Sequence, residues 1–142
     1  MANCVKEIGQ ELDRKIFSLK NNSEGIIDCF PEVIETHNYL VKSLEPITGQ
    51  KDRSFASKYL HFHCPDKFFL YDERVKSVVS KIVRKASTNE IEMGETADCD
   101  EEYADFACRM IILQDYINEQ LGRNVSPRNL DDFLLAFYDG KI

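Results

Sequence analysis

Asp72 is the carboxylate in this chain best placed to do chemistry. It follows the apolar run Phe68-Phe69-Leu70-Tyr71, directly precedes the stripe Val75, Val78, Val79, Ile82 and Val83, and lies among lysines and arginines. An aspartate in that position caps a helix by accepting a hydrogen bond from its first turn, and the partial positive charge of the helix end steadies its ionised form. A plain cap is the simplest reading. A role in acid, base or electrostatic catalysis needs a water-poor pocket around the carboxyl as well, and Phe55, Phe68 and Tyr71 are the aromatic residues expected to wall one.

The run His61-Phe62-His63-Cys64, with Asp66 beside it, has the residue types of a metal cluster. Its spacing is wrong for one on a helix, where positions two apart point about 200° from one another. Packing and capping at a helix end are expected instead, with no metal. Cys64 as a nucleophile would need a base and a group to orient that base, and His61 or His63 supplies only the first. His37 falls on the apolar stripe of its segment and reads as a hydrogen-bonded core histidine. The five cysteines, Cys4, Cys29, Cys64, Cys99 and Cys108, are odd in number and include no C-x-x-C pair, so reduced thiols are expected. The chain contains neither a phosphate-cradling glycine loop nor a Gly-x-Ser-x-Gly elbow, and no cofactor is expected.

Net charge is −7, from 18 basic and 25 acidic side chains, but its distribution is uneven. Residues 1–50 carry −3, residues 51–85 carry +5 and residues 86–142 carry −9. Lys51, Arg53, Lys58, Lys67, Arg74, Lys76, Lys81, Arg84 and Lys85 make the middle of the chain a basic island able to meet phosphates. The alternative is that they pair with the acidic stretch from Asp98 to Asp105, as solvated faces commonly do.

Helices must position these groups. Val5, Ile8, Leu12, Ile16 and Leu19 recur at three and four, an amphipathic pattern that ends near Asn21-Asn22. A second stripe runs from Val33 to Leu44 behind Pro31, a residue favoured in a first turn. Glu45 to Gln50, with a proline and a glycine, reads as a turn. Phe55, Tyr59, Leu60 and Phe62 form a shorter periodic segment that Cys64-Pro65 stops. A fourth helix follows Asp72, residues 86–98 read as a loop, and Tyr103 to Leu121 carry the longest stripe, closed by Gly122. Ser126-Pro127 opens a sixth helix through Leu130, Phe133, Leu134 and Phe137. The chain of 142 residues, 43% hydrophobic, is therefore expected to be all-α, a single compact domain of about six helices. No apolar run approaches the ~18 residues of a membrane span, so a soluble, cytoplasmic protein with no membrane partner is expected.

The stretch from Arg53 to His63, then Pro65, then Leu70-Tyr71-Asp72-Glu73-Arg74-Val75 resembles the second half of the helix-hairpin-helix DNA glycosylase fold, especially its 8-oxoguanine glycosylase-like branches. There a helix after a glycine-containing hairpin leads through a short apolar crossing to a V-D-x-x-V segment opening the next helix. The resemblance covers about residues 45–85. It implies DNA as partner, with Ile47 to Asp52, Gly49 among them, as the hairpin that grips the backbone. It also implies Asp72 as the carboxylate that assists departure of a base flipped into a pocket. The family's bifunctional members use a lysine near the start of the preceding helix to form a Schiff base; Arg53 stands nearest that spacing, and Lys58 is the nearest lysine. With Lys51, Arg53, Arg74 and Lys76 as phosphate contacts, the expected function is DNA binding by a glycosylase-like protein, active or reduced. The alternative is a non-enzymatic helical interaction module, an accessory subunit or homodimer, whose acidic C-terminal half docks a partner.

Overall fold

Leu12, Ile16 and Leu19 are buried, as their spacing requires, whereas Val5 at the start of the same stripe is exposed. They belong to α1 (Ala2–Lys20), the first of six helices among the described residues, followed by α2 (Phe30–Thr48), α3 (Arg53–His63), α4 (Glu73–Ile82), α5 (Glu101–Leu121) and α6 (Pro127–Tyr138). The computed structural model of the chain describes residues 2–84 and 98–142, with side chains from residue 5 onward. There is no strand among the described residues, and no described helix is long and apolar enough to cross a membrane. The expected loop over residues 86–98 lies outside the described residues apart from Asp98, as does Lys85.

The expected turn from Glu45 to Gln50 is corrected: α2 runs through Pro46 to Thr48. Pro46 has no N–H to donate to the carbonyl four residues back and crowds that carbonyl, and the helix continues only two residues past it. The helix ends instead at Gly49, whose φ of 76° is left-handed and whose N–H donates to Glu45 O at 2.8 Å. Such a cap satisfies carbonyls that have no partner further along the helix.

Two apolar clusters fill the interior. One joins Leu12, Ile16, Val33, Leu60 and Phe68 beneath α1, α2 and α3; the other joins Phe69, Val75, Phe106, Ile111 and Leu134 beneath α4, α5 and α6. Helix α2 serves both, giving Val33, Leu40 and Val41 to the first and Phe30 and Ile34 to the second. The crossing between α3 and α4 divides its two phenylalanines between them. Phe68 is therefore fully buried and does not wall a pocket, a correction to its expected role: adjacent side chains in a non-helical crossing leave in different directions, and both destinations here are core.

Polar anchors fix that crossing. Tyr71 N–H donates to Ser57 Oγ at 2.8 Å, Tyr103 Oη donates to Phe69 O at 2.9 Å, His61 Nδ1 meets Phe68 O at 2.8 Å, and the buried Lys67 ammonium donates to Glu24 O. Ser57→Ala is expected to lower stability by about 1–3 kcal/mol, since the Tyr71 N–H would stay buried without a partner. Urea unfolding measures it, and an unchanged midpoint would mean that water replaces the hydroxyl.

His37 is a core histidine, stacked on Tyr103 with ring centroids 3.6 Å apart and with Nε2 3.3 Å from Arg53 O. Burial pulls its pKa down to about 4. Cys29, Cys64, Cys99 and Cys108 are not joined in disulfides among the described residues, and burial raises each of their pKa values, that of Cys108 to about 12. Among the described residues no group of three or more His, Cys, Asp or Glu side chains could hold a metal.

Candidate functional site

Gln50 to Asp52, between α2 and α3, together with the first turn of α3, face the N-terminus of α4 across a cleft of ≈ 470 Å³. Lys51, Arg53 and Phe55 contribute from the hairpin side, and Tyr71, Asp72 and Arg74 from the other. Two segments far apart in sequence thus meet because the anchored crossing brings Tyr71 back against Ser57 on α3.

Asp72 caps α4 from an extended backbone conformation. Its Oδ1 accepts from the Arg74 N–H at 2.8 Å and from Arg74 Nε at 3.1 Å, and its Oδ2 accepts from Arg74 Nη2 at 2.9 Å. The Arg74 side chain holds the Asp72 pKa below the usual carboxylate range, outweighing the opposing effect of burial. Both oxygens are engaged, so the group is an oriented anion and a poor proton donor at neutral pH.

Arg53 is committed elsewhere. Its Nε and Nη2 form a bidentate pair with Asp100 at 2.5 and 2.9 Å, and Nη1 lies 3.4 Å from Glu102. Asp100 in turn caps α5 by accepting from Tyr103 N–H. This fork ties the start of α3 to the start of α5, and Asp100 raises the Arg53 pKa further. Lys76 lies 3.6 Å from Glu102 and donates to Tyr71 Oη at 3.3 Å, while Lys42 reaches Asp98 at 3.0 Å. Arg53 and Lys76 of the basic island therefore pair with the acidic stretch, as the alternative reading of the charges has it.

Lys51 is exposed and has no ion pair among the described residues. It shares with Arg53 the ridge between this cleft and a second one of ≈ 420 Å³, walled by Glu45, Asp100, Glu101 and Glu102. The Asp72 cleft is itself mixed in charge, lined by Asp52, Asp72 and Glu73 as well as by Lys51, Arg53 and Arg74. Phe55 stands 57% exposed at the cleft edge, whereas Tyr71 is buried. Lys58 is exposed on α3 outside the lining of the cleft, and Gly49 closes α2 just before the hairpin.

Three residues that matter here drew no attention in the sequence: Ser57, Asp100 and Asp131. Asp131 on α6 is buried with Oδ1 lacking a partner among the described residues, and burial, then Asp132 and Asp72, push its pKa up to about 6. Its one sequence signal is position, next to Leu130 on the buried face. The chain matches no protein-family model, no curated protein and no solved structure.

Proposed function

We propose that the protein binds nucleic acid in the cleft between the α2–α3 hairpin and the N-terminus of α4, as a reduced relative of the helix-hairpin-helix DNA glycosylases. The observation that carries this reading is the meeting of Lys51 to Phe55 with Tyr71 to Arg74, the two segments on which the sequence resemblance rests. Lys51 offers a phosphate an exposed cation with no ion pair among the described residues, and the exposed Phe55 ring offers a face on which a base can stack. Asp72, ionised and held by Arg74, suits stabilisation of positive charge on a sugar as its base departs, with water as the nucleophile. Lys58 lies outside the cleft, so a Schiff-base step is not part of the proposal.

The test is binding of labelled single-stranded, mismatched and oxidised duplex oligonucleotides across a salt series, followed by a cleavage assay on the same strands. Lys51→Glu is expected to weaken binding and to reduce the salt slope by about one. Phe55→Ala is expected to cost about 1–3 kcal/mol on single strands. Binding that ignores salt and both substitutions would overturn the proposal.

A second reading is favoured by the commitment of Arg53 and Lys76 to Asp100 and Glu102. In it the central positive charge serves the fold, and the protein is an interaction module without catalysis.

A further inference from the structure

Helix α3 commits one side to the core and leaves the other uncovered. Ala56, Ser57 and Leu60 are buried, whereas Phe55, Lys58 and Phe62 are exposed and Tyr59 and His63 partly buried. Their spacings of three and four place these five side chains on one face. The rings form a continuous ladder. Phe55 stacks with Tyr59 at 6.4 Å between centroids, Tyr59 meets His63 at 4.7 Å, and Phe62 meets His63 edge-on at 5.3 Å. Phe55 also lines the Asp72 cleft, so the ladder begins at the cleft and leads away from it. It ends at Phe62, which at 81% is the most exposed aromatic side chain among the described residues.

We propose that this face of α3 is the path of a single-stranded nucleic acid leaving the cleft, its successive bases stacked on Phe55, Tyr59 and Phe62. This rests on nucleic-acid binding in the cleft and adds the form of the ligand and its course. Charge favours a strand over a protein partner. In a chain of net charge −7, α3 carries Arg53 and Lys58 and no carboxylate; the nearest in sequence are Asp52, which accepts from Gln50 Nε2 at 2.9 Å, and Asp66 beyond the helix. Lys58 is exposed within the ladder face and has no ion pair among the described residues, so it can meet a phosphate while the flanking rings meet bases. Composition agrees with charge. The one aliphatic side chain of α3 larger than alanine is Leu60, which is buried. The face therefore presents flat rings and a cation, the combination that holds single strands with little regard to sequence. From Phe55 to Phe62 the helix rises about 10.5 Å, or about three phosphate intervals of a stacked strand. A duplex keeps its bases paired inside and cannot use the ladder.

Titration of the full chain with labelled oligothymidylates of three and eight nucleotides at low salt tests it. The longer strand is expected to bind roughly thirtyfold or more tighter, beyond the about sixfold that its additional registers alone supply. Phe62→Ala is expected to weaken the eight-nucleotide complex roughly fivefold or more and to leave the three-nucleotide complex unchanged, while Phe62→Tyr, which keeps a ring, binds as the wild type does. Because Phe62 is exposed, circular dichroism should confirm unaltered folding. Phe55→Ala, at the cleft edge, is expected to weaken both complexes. A preference of sixfold or less, an eight-nucleotide complex insensitive to Phe62→Ala, or equal affinity for a duplex of the same length would each overturn the inference and leave binding in the cleft standing. Failure of both strands to bind would overturn the cleft reading and the inference with it. Self-association in sedimentation that Phe62→Ala abolishes, with oligonucleotide binding unchanged, would assign the face to a second copy of the chain instead.

Discussion

Ile111→Asp is expected to abolish the cooperative unfolding transition. Ile111 is 1% exposed on α5, in the cluster that also holds Val79, Phe106, Met110 and Leu134. The substitution removes apolar packing worth about 2–5 kcal/mol and leaves an unpaired charge costing several more, against a total stability on the order of 5–15 kcal/mol. Near-ultraviolet circular dichroism on heating reads the result. A sigmoidal melt close to that of the wild type would show that Ile111 does not face the core.

The second large effect is a pair of opposed proton linkages. His37 has its pKa lowered from 6.5 to about 4, so the unfolded chain takes up a proton first as pH falls through that window, and stability is lost. Asp131 has its pKa raised from 3.8 to about 6, so the folded chain takes up the proton first and stability is gained as pH falls from 6 toward 3.8. Each shift corresponds to about 3 kcal/mol, and between pH 6 and 4 the two largely offset. Asp131→Asn removes one side of the balance. It is expected to be more stable than the wild type by about 3 kcal/mol at pH 7 and to lose that advantage by pH 4. Urea titrations at successive pH values measure the difference, and a gap that stays constant with pH would refute the assignment of a strained carboxylate to Asp131.

The pattern of what the sequence discloses has a physical basis. Six helices are legible because each carries a three-and-four stripe, and their ends are legible where one residue decides them, as at Asp72, Gly122 and Ser126, which cap as their types require. Pro46 misleads because a proline forfeits one ladder bond without obliging the helix to end at the residue before it. Phe68 misleads because its neighbours in sequence are no guide to which of two clusters an irregular crossing feeds. The site divides the same way. Asp72 is found through its local context, but its ion pair with Arg74 depends on rotamers. The Arg53–Asp100 fork joins residues 47 positions apart, and no local pattern ties one basic residue to one acid at that range. Exposed Phe133 and Phe137 share a stripe with buried Leu130 and Leu134, because periodicity identifies an apolar side of a helix without saying how much of it the fold covers.

The measurement closest to the central claim is a backbone amide chemical-shift titration of the protein with a short single-stranded oligonucleotide at low salt. Binding in the cleft predicts saturable shifts concentrated at residues 49–55 and 71–76, fading as salt is added. No shifts at any ratio, or shifts centred on the α5–α6 face with the hairpin and the Asp72 cap unmoved, would contradict it.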